Sequence, residues 1–171
     1  MAFAQSADPQ TYLDIVQFLH YEASLLDNGQ FREWVNVITE DVLYRVPLRV
    51  TREREHGAGF VPSMYHYEED RDSLEMRVLR LETEAAWAED PPSRTRHLVS
   101  NIRVETIDEM HVRVFSNILL FRSRGESAAY DFLSGERIDI LRKEGDGWKI
   151  KEREVRLDMS SIPMHNLAIL L

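Results

Sequence analysis

Pro91-Pro92 divides this chain more sharply than any other feature of the sequence. Each proline fixes φ and removes a backbone donor, and the residue before the pair, Asp90, is steered away from helix. Whatever arrives from the N-terminal side must end there, as a loop or an edge. From Thr95 onward the alternation suits an extended strand, with Leu98, Ser100 and Ile102 on one face and His97, Val99 and Asn101 on the other. Arg94, Arg96 and His97 set cationic or titratable groups where that strand begins. The chain before this point reads mostly as helix, and the chain after it mostly as long antiparallel strand.

Asp8-Pro9 has the form of a helix start, with Asp as N-cap and Pro at the first helical position. Tyr12, Ile15, Val16, Leu19, Ala23 and Leu26 then recur at spacings of three and four and predict one apolar stripe. Asp27-Asn28-Gly29 ends it, and a short helix carrying Phe31, Trp34, Val35 and Ile38 follows. Asp41 to Pro47 reads as a strand stopped by its proline. From Thr51 to Asp70 the pattern dissolves into an expected long loop, a length that in a compact domain points to function, an interface or mobility. Asp72 or Ser73 is expected to cap a third helix carrying Leu74, Met76, Val78, Leu79 and Leu81.

Strands are expected up to Ile107, then over His111 to Arg124, Ala128 to Lys143 and Trp148 to Asp158, with Glu144-Gly-Asp-Gly147 as a hairpin turn. Three helices followed by long antiparallel strands make an α+β layout, in which a curved sheet wraps the helices as a cone with an interior pocket. One domain is expected over residues 1–171, with 1–8 as a flexible tail and 51–70 as the long loop.

Composition removes several functions. Thirty acidic against 21 basic residues give a net charge of −9, and no basic block is present, so nucleic acid and anionic membrane are poor partners. No apolar run reaches the roughly 18 residues of a spanning helix, and the first residues lack a signal-peptide pattern. A cytoplasmic protein is expected. The sequence holds no cysteine, which excludes disulfides, thiolate zinc sites, Cys-ligated iron–sulfur clusters and a cysteine nucleophile.

Chemistry could then fall only to histidines and carboxylates. His20 lies beside the first apolar stripe, where packing or plain exposure explains it. His56 and His66, with Glu53, Glu55, Glu68, Glu69 and Asp70 nearby, could form a two-His, one-carboxylate iron site, but their spacing matches no metal signature. His97 could act as a general base with Asp131, Asp139 or Tyr130 on an inward-facing strand; a hydrogen bond at a strand end or subunit contact is the simpler reading. His111 and His165 have no evident partner. Arg137, Asp139 and Arg142, with Lys149, Lys151 and Arg153, read most simply as the outer face of a sheet, paired across strands. The apolar ending Asn166-Leu-Ala-Ile-Leu-Leu171 must be covered, by this chain or by another subunit.

The run Ala86-Trp-Ala-Glu-Asp-Pro-Pro-Ser-Arg-Thr-Arg-His-Leu-Val-Ser-Asn-Ile102 resembles the hallmark segment of the small (β) subunits of aromatic-ring-hydroxylating dioxygenases. The similarity continues through Tyr21-Glu-Ala-Ser-Leu-Leu-Asp27 with Trp34, Tyr44-Arg-Val-Pro-Leu-Arg49, Ser134-Gly-Glu-Arg-Ile-Asp-Ile-Leu-Arg142, and the strand from Lys149 to Asp158. The resemblance implies a cystatin- or NTF2-like cone that assembles as three β with three large (α) subunits, served indirectly by a ferredoxin and a reductase. It implies no catalytic, cofactor-binding or metal-binding residue on this chain. The Rieske [2Fe–2S] cluster and mononuclear Fe(II) would sit on the large subunit, which forms cis-dihydrodiols from aromatic hydrocarbons. Arg94, Arg96, His97, Leu170 and Leu171 are the expected interface residues. Two other classes stay open at this point: a standalone isomerase, dehydratase or epoxide hydrolase using His97, and a small-molecule binding module.

Overall fold

A computed structural model describes residues 6–51, 59–82, 92–126, 128–162 and 169–171. The first helix, α1 (Pro9–Asp27), starts as its sequence dictates: Asp8 Oδ1 accepts from the amides of Gln10 and Thr11 at 3.0 and 3.1 Å. Ile15, Leu19, Ala23 and Leu26 are buried along one stripe, together with Leu25 and Glu22, whereas Tyr12 at the rim is exposed. Gly29, at φ 70°, turns the chain into α2 (Phe31–Val35). Ser6–Asp8 is not a loose tail, since Ser6 bridges Glu105 and the Ala7 amide donates to the Val104 carbonyl at 3.1 Å.

Six strands follow or flank the third helix: β1 (Ile38–Arg49), β2 (Phe60–Glu69), β3 (Ser93–Thr106), β4 (His111–Arg124), β5 (Tyr130–Glu144) and β6 (Gly147–Leu157), with α3 (Arg71–Glu82) between β2 and β3. Their spatial order is β2-β1-β6-β5-β4-β3. Only β1 and β6 pair in parallel: the chain passes from edge strand β2 through α3 to the opposite edge at β3, and then meanders inward through β4 and β5 to β6 beside β1. α1 lies in the hollow of the curved sheet, and the core forms between them from residues such as Ile15, Leu19, Trp34, Tyr44, Leu120, Leu133, Ile150 and Val155. The α+β cone expected from the sequence is the observed fold.

Four local expectations are corrected. Pro47 does not stop the first strand; the register of β1 against β2 shifts on both sides of it, and such an irregularity is where a strand tolerates a residue without an amide hydrogen. The second half of the expected 51–70 loop is strand β2, whose Tyr67 stacks on Tyr44 with ring centroids 5.8 Å apart. The cap of α3 is Asp70, whose Oδ1 accepts from the Ser73 amide at 3.0 Å, and on that helix Leu74 and Val78 are buried while Met76 and Leu79 are exposed. Asn101 adopts φ 53° within a bulge between Ser100 and Arg103, which moves Ile102 onto the inner face with His97 and Val99. Residues 52–58 of the expected loop, and Trp87 and Glu89–Pro91 of the dividing stretch, lie outside the described residues.

Candidate functional site

The inner face of the sheet carries charge at its centre. Arg137 and Asp139 on β5 and Arg153 on β6, expected on the outer face, point inward and are wholly buried with Glu22 of α1. Arg153 Nε and Nη2 each donate to Asp139 at 2.9 Å, and Nη2 also reaches Glu22 Oε2 at 3.0 Å. Trp34 Nε1 donates to Glu22 Oε1 at 3.1 Å. Arg137 is held more loosely, 3.4 Å from Glu22 and 3.5 Å from Ser116 Oγ, and its Nη2 has no hydrogen-bond partner. Two guanidinium groups against two side-chain carboxylates leave these four side chains without net charge, the condition under which charge survives burial.

Burial alone would raise the Glu22 carboxyl, but Arg153, Arg137 and the Trp34 indole outweigh it and hold it at about 2. Arg153 is held well above its ordinary value although burial opposes this, because Asp139 and Glu22 both face it. Arg137 is lowered by burial first and by repulsion from Arg153 second. Tyr44, stripped of solvent, is raised. A carboxylate saturated by guanidinium donors is a poor proton acceptor, so this centre is built for rigidity rather than acid–base work.

The chain's last residues close over this cluster. Leu171 O accepts from Tyr44 Oη and, at 3.2 Å, from Arg153 Nη1, and the Leu171 amide donates to Tyr44 Oη at 2.9 Å. Ile169, Leu170 and Leu171 are buried within the chain itself. Of the two covers that the sequence left open for this apolar ending, the chain's own core is the one that takes Ile169, Leu170 and Leu171.

A second polar group joins the C-terminal end of α1 to β3. His97 Nδ1 is 2.6 Å from Asp27 Oδ1 at the end of α1, and the His97 amide donates to Asp27 Oδ2 at 3.0 Å. His97 Nε2 lies 3.0 Å from the Leu170 carbonyl, which can only accept, so the ring donates there. Burial would raise the Asp27 carboxyl, but hydrogen bonds from His97 and Thr95 pull it below its ordinary value. A cavity of about 110 Å³ adjoins the pair, lined by Leu26, Phe31, Leu81, Thr95, Ile169 and Leu170 among others.

The partners anticipated for His97 are not brought to it. Tyr130 projects from the outer face and is 60% exposed, Asp131 is paired in register with Arg122, and Asp139 is engaged by Arg153. Asp27 takes that place, and both ring nitrogens are occupied. Of the expected interface residues, Arg94 and Arg96 are exposed on the outer face of edge strand β3, Arg94 donating to the Gly125 carbonyl and Arg96 lying 3.8 Å from Asp27. His97, between Arg96 and Leu98, is buried instead. Among the described residues no three His, Asp or Glu side chains are grouped to hold a metal. His66 lies on β2, and His56 and His165 are outside the described residues.

The outer face of β3, β4 and β5 carries an apolar patch that the sequence reading missed. Leu98 pairs in register with Leu119, and Arg96 with Phe121, which pairs in turn with Phe132. Phe121, Tyr130 and Phe132 form a triad with ring centroids 5.3 to 5.8 Å apart. Leu98, Leu119, Tyr130 and Phe132 are all exposed. Strands apolar on both faces were the available signal, since a solvated outer face alternates with polar residues.

Comparison with known proteins agrees with this architecture. The chain is 39% identical over 170 residues, 95% of its length, to the 3-phenylpropionate/cinnamic acid dioxygenase subunit beta of Photorhabdus laumondii, of which it covers 92%. Its fold matches a chain of naphthalene 1,2-dioxygenase with indole bound (TM-score 0.85, 24% identity, covering 96% of this chain and 88% of that one). It also matches the beta subunit of benzoate 1,2-dioxygenase from Burkholderia mallei (TM-score 0.70, 23% identity, covering 97% and 99%). The family described as ring hydroxylating beta subunit matches residues 21–164, a span that runs from Glu22 and Asp27 through His97 to Arg153. The family match over residues 21–164 and the 39% identity across nearly the whole chain place it in the family of ring hydroxylating dioxygenase beta subunits.

Proposed function

We propose that this chain is a non-catalytic subunit that holds the large subunits of a terminal oxygenase in their working arrangement. The observation that carries the reading is the state of the interior: among the described residues the buried carboxylates Glu22, Asp27 and Asp139 are each matched by a guanidinium or an imidazole, and no free acid–base pair faces a substrate-sized chamber. In this reading the Rieske [2Fe–2S] cluster and the mononuclear Fe(II) belong to the large subunit; a chain without cysteine cannot supply the thiolates of a Rieske centre. Electrons from NAD(P)H arrive there through a reductase and a ferredoxin, and the product is a cis-dihydrodiol. The complex is cytoplasmic and contains three β and three α chains.

The outer patch of β3–β5 supplies a surface for such assembly. Aromatic groups at its centre and arginines at its edge are the composition of an interface core with its anchoring rim, and Arg96 offers a two-point donor to a partner carboxylate. The test is purification of the tagged chain from its native host under gentle conditions, with native mass and visible spectrum recorded. A co-purifying large chain in equal amount, with Rieske-type absorbance and a mass of three plus three, is the expected result. A colourless chain alone, as monomer or dimer, would overturn the proposal.

A further inference from the structure

The last three residues are held in the way a bound peptide is held. Leu170 and Leu171 belong to no helix or strand, and side chains from three separate strands receive their backbone. His97 of β3 donates through Nε2 to the Leu170 carbonyl. Tyr44 of β1 and Arg153 of β6 donate to the main-chain oxygen of Leu171, and the same Tyr44 oxygen accepts from the Leu171 amide. Two successive main-chain oxygens and one amide are thus read by groups that are themselves buried and fixed: Tyr44 by stacking on Tyr67, Arg153 by Asp139 and Glu22, and His97 by Asp27. The three apolar side chains enter the core, and Ile169 and Leu170 also wall the 110 Å³ cavity. Beneath them Arg137 Nη2 is buried and unpartnered, a donor left over in the cluster under the seat.

We propose that the interior of the cone is a binding site for a short apolar peptide, occupied by this chain's own Ile169–Leu171. The ligand it takes is a linear aliphatic segment with side chains of leucine size that enter the core and two successive main-chain oxygens placed for His97, Tyr44 and Arg153. An arene offers no carbonyl for this array. The occupied seat is coupled to the outer surface, because His97 alternates along β3 with Arg96 and Leu98, which face outward. Filling the seat fixes the strand whose other face carries the exposed patch.

The experiment folds the full-length chain first and separates the tail afterward. A specific protease site placed between Ile162 and Asn166 is cut in the folded protein, the cut segment is removed by dialysis, and the synthetic peptide Asn-Leu-Ala-Ile-Leu-Leu is titrated back. Trp34 reports on the seat, since its ring meets that of Tyr44 edge-on at 6.5 Å. The expected result is saturable binding that restores the emission and melting temperature of the uncut protein, a reversed-sequence peptide binding at least tenfold more weakly, and a tenfold or greater loss of affinity in Tyr44→Phe. Should the cut protein unfold, the peptide is expected to restore the folded form by complementation. Failure of the peptide to bind or to restore folding, or equal binding of the reversed peptide, would overturn the proposal and make the tail ordinary core.

Discussion

Glu22 and Arg153 meet at two points in the centre of the cone, one on α1 and the other on β6, with neither side chain open to solvent. Their contact ties the helix to the middle of the sheet across a sequence separation of 131 residues. Removing one partner strands the other charges, since Glu22→Gln leaves Arg137 and Arg153 against Asp139 alone. Breaking a buried pair from one side costs about 3–5 kcal/mol. Urea unfolding of Glu22→Gln is expected to show a loss in that range, and a cycle with Arg153→Met is expected to be non-additive by about 1 kcal/mol or more. Independent, additive losses would mean that the two residues do not act as a unit.

The same residue sets an acid limit. Glu22 titrates at about 2 in the folded protein against its ordinary 4.5, so the folded state binds the proton less readily than the unfolded chain does. The stability it contributes is present in full above its ordinary value and is lost as pH falls from there toward 2, on the order of 3 kcal/mol in all. Asp27, also lowered, adds in the same direction. Urea midpoints measured from about pH 6 to pH 3 are expected to fall steeply below about pH 4.5 in the parent and less steeply in Glu22→Gln. Parallel slopes in the two proteins would contradict the assignment of the transition to this carboxyl.

The outer patch makes a different kind of prediction, since it concerns association rather than folding. Phe132 sits within the aromatic triad and is exposed, so Phe132→Asp removes apolar contact from a partner at little cost to this chain. A central aromatic anchor contributes about 2 kcal/mol or more to binding, roughly a 30-fold change in affinity. Arg96→Glu, at the rim, is expected to weaken association less and to do so more strongly at low salt. Native mass and the melting curve of each variant separate the two effects. A Phe132→Asp chain that assembles like the parent removes this face from the interface.

Much of the fold could be read from local chemistry, and the interior could not. The Asp8-Pro9 start, the apolar stripe of α1 and the Gly145–Gly147 hairpin are each decided by residues within a few positions of one another. The charge cluster is decided by the sheet. On β5 both faces are apolar, so Ile138 and Ile140 compete with Leu133 and Leu141 to define the inside, and Arg137 and Asp139 read as outward by their chemistry. Leu133, Gly135, Arg137, Asp139 and Leu141 share one buried face, and that parity was the available signal. The partner that makes burial of Arg137 and Asp139 tolerable, Glu22, lies more than a hundred residues away, and only the wrapped sheet brings it near. The bulge at Asn101 had the same character: one residue at positive φ reversed the facing of everything after it, and no short-range pattern marked it.

Gly135 tests how tightly that wrapping is drawn. It lies on β5 opposite Leu157 of β6, and a Cβ built there would stand 2.6 Å from the Arg156 carbonyl oxygen and 3.1 Å from the Leu157 Cα. Both neighbours are backbone, so neither can swing aside as a side chain would. By intrinsic preference alone, alanine in a strand interior should be better than glycine by roughly 0.5–1 kcal/mol. The close approach reverses the sign, and Gly135→Ala is expected to destabilise by about 1–3 kcal/mol, the usual cost of overpacking. Gly147, at the start of β6, is the control: no atom lies within 4 Å of its built Cβ, so Gly147→Ala is expected to stay within about 0.5 kcal/mol of the parent. Equal stability of the two variants in urea would mean that β5 and β6 can separate locally without loss, and that the curvature of the cone does not depend on contact at Gly135.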